Sequence, residues 1–418
     1  MAVQDWATWS IAAVATAGVI VRPFGWPEFA WAVAGAAMLV LLGLLGPGAA
    51  LAGVARGTDV YLFLTGMMLL SELARQEGLF DWLAARAARA SGGSAAQLFS
   101  LVFGVGTLVT VFLSNDATAV VLTPAVAAVA RAAKARTALP YLYVCAFVAN
   151  AASFVLPISN PANLVFYERH MPPLLVWLPR YLPASVLAIL ATWVVLRLTQ
   201  RRALLAPVSA DVPVPLLGTG GRVAAWGIAA TAAILLAASA LDVRLGLPTF
   251  AAGAATACLV FARAEVRPFA TLRRISWGVL PLVAGLFVLV QALEATGVTA
   301  DLALLLDGLV RRSSVLAAWI AGPALAVACN LVNNLPAGLV TARVVQGGAV
   351  PEAVRAALLI AVDVGPNLSV TGSLATILWL AALRREGEAV GALTFLRLGV
   401  LVMPPALVLA IAAVLLGG

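Results

Sequence analysis

Predominantly apolar runs recur along the whole chain, separated by short basic or Gly/Pro-rich connections. At about 17–25 residues, they are long enough for a helix to cross a hydrocarbon core of about 30 Å. Inside a bilayer every backbone N–H and C=O must find an internal partner, so only helices and closed barrels span it. A barrel would show short segments of alternating hydropathy, and these runs are continuous, so the chain is expected to be an all-α polytopic membrane protein. Composition agrees: 63% of the 418 residues are hydrophobic and 11% charged, against roughly a quarter charged in a soluble domain. The formal charge of +8 comes from arginines at the ends of apolar runs. That is the pattern of positive cytoplasmic loops, and no basic face interleaved with aromatics suggests nucleic acid. No basic residue precedes the first apolar stretch, Trp9 to Val21, so it reads as a retained span rather than a cleaved signal.

Ten spans are expected, at 8–21, 28–46, 58–76, 138–166 and 178–198, then at 222–241, 247–263, 276–296, 352–382 and 392–416. Residues 79–91 place Phe80, Leu83 and Ala87 on one helical face and Asp81, Arg86 and Arg89 elsewhere, which predicts an interfacial helix. The apolar stretch 95–131 follows, interrupted by Ser114-Asn115-Asp116. The second half repeats the order, with a short helix at 299–312 and an apolar stretch 314–345 interrupted by Asn333-Asn334-Leu335-Pro336. Gly66 and Gly78 are twelve residues apart, as are Gly285 and Gly297; Gly66 to Asn115 and Gly285 to Asn334 are both 49. Self-similarity of this kind marks an internal repeat.

If 95–131 and 314–345 are re-entrant hairpins, each half has five spans and the halves are inverted. With the first terminus outside, this arrangement gathers most basic residues on the cytoplasmic side, among them Arg131, Arg197, Arg274 and Arg385. The expected organisation is an N-terminal repeat at 1–199, a flexible cytoplasmic linker at 200–221 rich in Pro and Gly, and a C-terminal inverted repeat at 222–418.

Four breaks fall within apolar sequence. Two are the expected hairpin tips. The others are Leu156-Pro157-Ile158-Ser159-Asn160-Pro161-Ala162-Asn163 and the run from Asp363 to Ser373. Three of them join Pro or Gly, which interrupt a helix, to Asn, Ser or Thr, which hydrogen-bond a ligand or cap freed helix ends, and the Ser114-Asn115-Asp116 tip carries the polar groups alone. Broken backbone survives at membrane depth only where it lines an enclosed cavity. The candidate substrate contacts are therefore Ser114, Asn115, Asn160, Asn163, Asn333, Asn334, Asn367, Ser369, Thr371 and Ser373. Asp116 and Asp363 lie at the breaks; an intramembrane carboxylate is costly when charged and is a functional hypothesis by default, here as the proton-coupling group. Asn150 and Ser153 read as interhelical hydrogen-bonding residues, and Gly66 and Gly78 as close-contact or capping positions. The three cysteines, Cys145, Cys258 and Cys329, sit in apolar runs without a CxxC pairing, so no metal site is expected. His170, the only histidine, falls in a loop and is read as incidental.

These motifs resemble those of the ArsB-type arsenical pump membrane proteins. The resemblance is carried by Ser114-Asn-Asp-Ala-Thr118 with Thr123-Pro124, Ile158-Ser-Asn-Pro-Ala-Asn163, Asn333-Asn-Leu-Pro-Ala337 and, most specifically, the run from Gly365 to Trp379. It implies a fold of the ion transporter superfamily in the inner membrane. It also implies export of arsenite and antimonite as neutral trihydroxides, driven by proton antiport with an elevator-like motion, and optional partnership with an ArsA-type ATPase. Two points from the residues agree. The only lysine, Lys134, lies in no phosphate-loop context, so no nucleotide or other cofactor is expected and a proton gradient or a partner supplies the energy. The breaks also carry neutral donors and acceptors without an internal arginine cluster, which suits an uncharged polyhydroxy solute. A sodium/proton or sodium/dicarboxylate transporter of the same superfamily is the alternative. A channel is disfavoured by paired hairpins. An intramembrane transferase needs an acidic cluster or a His–carboxylate pair that the sequence lacks.

Overall fold

The computed structural model describes residues 3–167, 171–264, 267–346 and 348–417; His170 lies outside them. Seven helical stretches among these are long and apolar enough to cross a membrane, and no strand occurs among the described residues. In the first half the helices are α1 (Val3–Val21), α2 (Glu28–Leu41), α3 (Pro47–Arg56), α4 (Thr58–Gln76), α5 (Leu79–Ala90), α6 (Ala95–Phe112), α7 (Asn115–Ala117), α8 (Thr123–Ala132), α9 (Leu139–Ala151), α10 (Pro161–Tyr167) and α11 (Leu174–Thr199). The second half contains α12 (Thr219–Ala240), α13 (Gly246–Arg263), α14 (Pro268–Arg274), α15 (Val279–Ala295), α16 (Val298–Arg312), α17 (Ser314–Val332), α18 (Asn334–Gln346), α19 (Glu352–Val364), α20 (Leu374–Arg385) and α21 (Ala392–Leu416).

Glycines at matching spacings have matching local geometry. Gly78 (φ +71°) turns α4 into α5, and Gly297 (φ +84°) turns α15 into α16; only glycine adopts that left-handed backbone without cost. A Cβ on Gly66 would come within 2.4 Å of the Thr249 carbonyl oxygen, and one on Gly285 within 2.7 Å of the backbone of Ala32. Both glycines let helices cross closely, α4 against α13 and α15 against α2. Ser94 caps α6 by accepting from the Gln97 amide, and Ser313 caps α17 from the Leu316 amide.

The helices form two groups. In one, α4 packs on α13, α2 on α15 and on α1, and α13 on α12. In the other, α11 packs on α21, α17 on α19 and α6 on α9. Contacts between the groups are fewer and include α10 with α4 and α18 with α15. Inside the second group Phe147 stacks on Phe395 at 4.9 Å, beside fully buried Trp379. Outward-facing Leu190, Ile234, Leu259, Ile320 and Leu409 are exposed, as expected where the neighbour is lipid rather than water.

Several expectations are refined. The stretches 138–166 and 352–382 are each two helices, α9 with α10 and α19 with α20, joined by irregular backbone at the Pro/Gly-rich breaks. The stretch 28–46 stops being helical after Leu41. Short helices α3 and α14 were not expected, because ten- and seven-residue segments rich in Ala and Pro give too little periodicity to stand out. The linker is not a free tether: the Val208 and Ser209 amides donate to the carbonyls of Gly93 and Ala133, and Val212 is buried.

Candidate transport site

Hydrogen bonds join all four breaks, and the two tips and the first break reach the join between the helix groups. At the first tip, Ser114 accepts from the Ala117 amide and Asn115 Oδ1 from the Asp116 amide, so both side chains help start α7. A π-helical turn at Thr118–Leu122 then leads into α8, and the Thr118 hydroxyl bonds to that of Thr110 at 2.8 Å. Such turns interrupt the regular helical ladder and recur at functional sites. The second tip is a single residue, Asn333, at φ +73° and ψ 150°. A side chain rarely adopts this conformation, and here Asn333 is held at both ends. Its Nδ2 donates to the Thr371 carbonyl at 3.2 Å, and its Oδ1 accepts from the Leu335 amide.

Each tip is tied to a broken helix. Ser159 donates to the Val111 carbonyl at the end of α6, and the Asn334 amide donates to the Gly372 carbonyl at 2.9 Å. The breaks in turn are joined to each other. Asn160 Nδ2 donates to Asp363 Oδ1, and Asn150 Nδ2 donates to Asn367 Oδ1 at 3.0 Å. These bonds place the carboxylate of α19 against the start of α10 and the end of α9 against the break beyond α19.

Where the tips and the first break converge, Asn115, Asp116, Asn160, Asn333 and Asn334 line a cavity of about 30 Å³ together with Val19, Leu64, Leu282 and Leu286, room for little more than a water molecule. The polar wall comes from one helix group and most of the apolar wall from the other. No arginine, lysine or cysteine lies among the described lining residues. Asp116 also lines a vestibule of about 470 Å³ with Ser114, Glu72, Arg75, Arg274 and Arg385. Leu64, Pro161 and Val279 border both spaces, which therefore lie side by side. On the opposite side, Glu294 of α15 bridges Arg56 at 3.3 Å and Arg343 of α18 at 3.6 Å.

The remaining candidates lie off the cavity. Ser114 faces the vestibule. Asn163 donates to the Ser153 carbonyl at 2.9 Å, and Asn367 to the Phe147 carbonyl. Ser369 and Thr371 cluster on Asn330, and Ser373 caps α20 through the Thr376 amide. Asp363 is wholly buried and reaches the cavity only through Asn160. Sequence reasoning missed Asn330, which ties α17 to the Gly365 carbonyl and to Ser369. Its signal was available: an Asn three residues before a tip and inside an apolar run. Glu72, at the vestibule, is buried and paired with Arg75 at 2.5 Å.

A helical membrane protein with broken helices and a polar cavity between two helix groups is a polytopic transporter. The chain belongs to the citrate transporter (CitMHS) family, whose model matches residues 16–383. It is similar to the arsenical pump membrane proteins of Yersinia enterocolitica (28% identity) and Escherichia coli (29%), in each case over 84% of both chains. It is also similar, at 27% identity over the same share, to an uncharacterized transporter of Mycobacterium tuberculosis. Among solved structures, the YdaH transporter of Alcanivorax borkumensis shares the fold at a TM-score of 0.56 and 19% identity, covering 88% of this chain and 86% of that one. Neisseria gonorrhoeae MtrF shares it at 0.51 and 14%, covering 90% and 83%. The protein is thus a multi-pass membrane transporter of the ArsB/CitMHS type and not an enzyme.

Proposed function

We propose that the protein exports arsenite and antimonite, as neutral trihydroxides, across the inner membrane in exchange for protons. The observation that carries this reading is the chemistry of the cavity wall, which admits the solute only once the helix groups move apart and widen it beyond its water-sized volume: four amide side chains and one carboxylate, with no cationic group or thiol among the described residues. Amides both donate and accept, so they match a solute bearing three hydroxyls. Citrate, the substrate in the family's description, calls for cations or several helix N-termini to balance its charge. A three-thiolate site would hold trivalent arsenic too firmly for a transporter that must release it. The similarity to arsenical pumps supports the same substrate.

In this reading the halves are inverted repeats, and the α6–α8 and α17–α18 segments are re-entrant hairpins. The vestibule at Arg274 and Arg385 opens to the cytoplasm, while the Glu294 bridge closes the outer face. Transport then moves the helix group carrying both tips past the group of α4 and α15, an elevator-like displacement. Asp116, open to the vestibule, and Asp363, behind Asn160, are the proton carriers. An ArsA-type ATPase remains an optional partner. The test is arsenite flux in inside-out vesicles under an imposed pH gradient without ATP. Gradient-driven arsenite accumulation is expected; citrate or sodium-coupled dicarboxylate flux without an arsenite effect overturns the proposal.

A further inference from the structure

Away from the vestibule, residues of α1, α15, α16, α17 and α18 line a crevice of about 790 Å³, within the range of about 300–1,000 Å³ usual for small-molecule sites. Leu289 and Leu293 of α15 line it together with Leu305 and Leu309 of α16 and Val340 of α18, so both helix groups contribute. No charged or amide side chain lines it among the described residues. Its polar groups are Trp9, Thr16 and Thr341. The Trp9 indole already donates to Thr296, and the Thr341 hydroxyl to the Ala337 carbonyl. A polar occupant would give up its bonds to water and find one threonine hydroxyl in return, so the crevice suits an apolar one.

The occupant comes from the bilayer. Leu305, Ile320 and Leu331 line the crevice and are exposed, and among membrane-spanning helices such exposure is to lipid. α16 follows Gly297 as α5 follows Gly78, yet α5 buries Phe80, Ala84, Ala85 and Ala88, whereas α16 buries only Thr299 and Leu306. Protein covers the apolar face of α5; α16 leaves its leucines open. An unfilled apolar gap forfeits the dispersion contacts of its walls, and an acyl chain supplies them. The end of α16 adds a charge. Arg312 stands three residues beyond Leu309 and seven beyond Leu305, on the same helix face. It is exposed and has no ion pair among the described residues, whereas Arg311 is bound to Asp307 at 2.8 Å.

We infer that this crevice binds one anionic phospholipid, with an acyl chain between the helix groups and the phosphate at Arg312. The crevice shares Leu286 and Pro336 with the transport cavity, and its Leu331 and Val332 lead directly into Asn333. The first tip borders the charged side chains of the vestibule, and the second is backed by lipid. A bound chain supports the Asn333 tip and fills the seam along which the helix groups move. The inference is independent of the transported solute, because lipid binding is measured without arsenite or flux.

The experiment is native mass spectrometry of the full-length, delipidated protein in detergent, titrated with dioleoyl phosphatidylglycerol or with dioleoyl phosphatidylcholine. A saturable one-to-one adduct is expected, with half-saturation at about fivefold lower concentration for phosphatidylglycerol, the effect of one arginine beside an anionic headgroup. Arg312→Gln should erase that preference. Ala324→Phe combined with Ala328→Phe fills the crevice and should abolish the adduct, while lipid held loosely around the helices is unaffected. Should the filled variant not fold, as its melting curve would show, the exposed Arg312→Gln still decides. Equal affinity for the two lipids overturns the proposal, as does an unchanged preference in Arg312→Gln or a retained adduct in the folded filled variant. A lipid-free dimer that dissociates in the filled variant would assign the crevice to a second copy of the chain and equally overturn it.

Discussion

Asn160 and Asp363 lie 203 residues apart in the chain and are joined directly, amide to carboxylate, in a wholly buried contact between α10 and α19. Asn160 also lines the cavity, whereas Asp363 does not. A change of charge on Asp363 therefore reaches the substrate-facing wall through one side chain. Because a buried charge is held in place by its partner, removing either partner leaves an unpaired polar group.

The first prediction concerns coupling. Asp116→Asn and Asp363→Asn should each lower pH-gradient-driven arsenite flux by about tenfold or more, since an amide cannot carry the proton. Vesicle flux with and without the imposed gradient checks this. Wild-type gradient response in either variant at equal expression removes that residue from the coupling role.

Thiols should be dispensable. Cys145 and Cys329 are buried in apolar surroundings, Cys258 is exposed on α13, and none lines the cavity. The triple Ser or Ala variant is expected to keep most of its arsenite flux, and complete loss in a folded variant would restore a ligating role.

Backbone strain at the second tip makes a graded prediction. Asn333 sits at φ +73° and ψ 150°, a conformation costing about 1–3 kcal/mol for a residue with a side chain. Asn333→Ala keeps that cost and loses both side-chain hydrogen bonds; Asn333→Gly loses the bonds and relieves the strain. Tm is expected to fall in the order wild type, Gly, Ala. An alanine variant as stable as the glycine one contradicts this.

Close helix crossing at Gly66 gives a stability test. Gly66→Ala pushes a methyl group to 2.4 Å from the Thr249 carbonyl oxygen, and overpacking of this kind costs about 1–3 kcal/mol. Gly104, within α6, has nothing within 4 Å of its ideal Cβ, so Gly104→Ala should be neutral or stabilising by up to about 1 kcal/mol. Paired melting curves decide.

In the proposed transport cycle, closure of the face opposite the vestibule rests on Glu294, which touches Arg56 and Arg343. Glu294→Gln should increase thiol-reagent labelling of a Leu164→Cys reporter in a cysteine-free background, because it removes the only acidic member of that bridge. Unchanged labelling argues that apolar contact, not charge, closes this face.

Much of this architecture is legible in the residues themselves. The observed α4 and α21 match the expected 58–76 and 392–416, because long apolar runs bounded by Gly or charge have one stable solution in lipid. The glycines paired by spacing also prove to be paired in use: Gly78 and Gly297 turn, Gly66 and Gly285 let helices cross. The candidate site was read as one set of polar residues at breaks, and the fold divides it. Asn115, Asp116, Asn160, Asn333 and Asn334 face the cavity, while Asn163, Asn367, Ser369, Thr371 and Ser373 hold the broken backbone.

Hydropathy and helix-breaking residues are local, so the sequence by itself determined where the long apolar runs lie, where helices break within them and which polar groups occupy the breaks. Which amide meets which carboxylate depends on two segments roughly half the chain apart, and one asparagine looks like another until its neighbours consume its N–H. Only the tertiary structure decided that Asn160 would satisfy Asp363, and that Asn163 would turn to the Ser153 carbonyl. Hydrogen-bond geometry is set by three-dimensional approach, and spacing along the chain does not encode it.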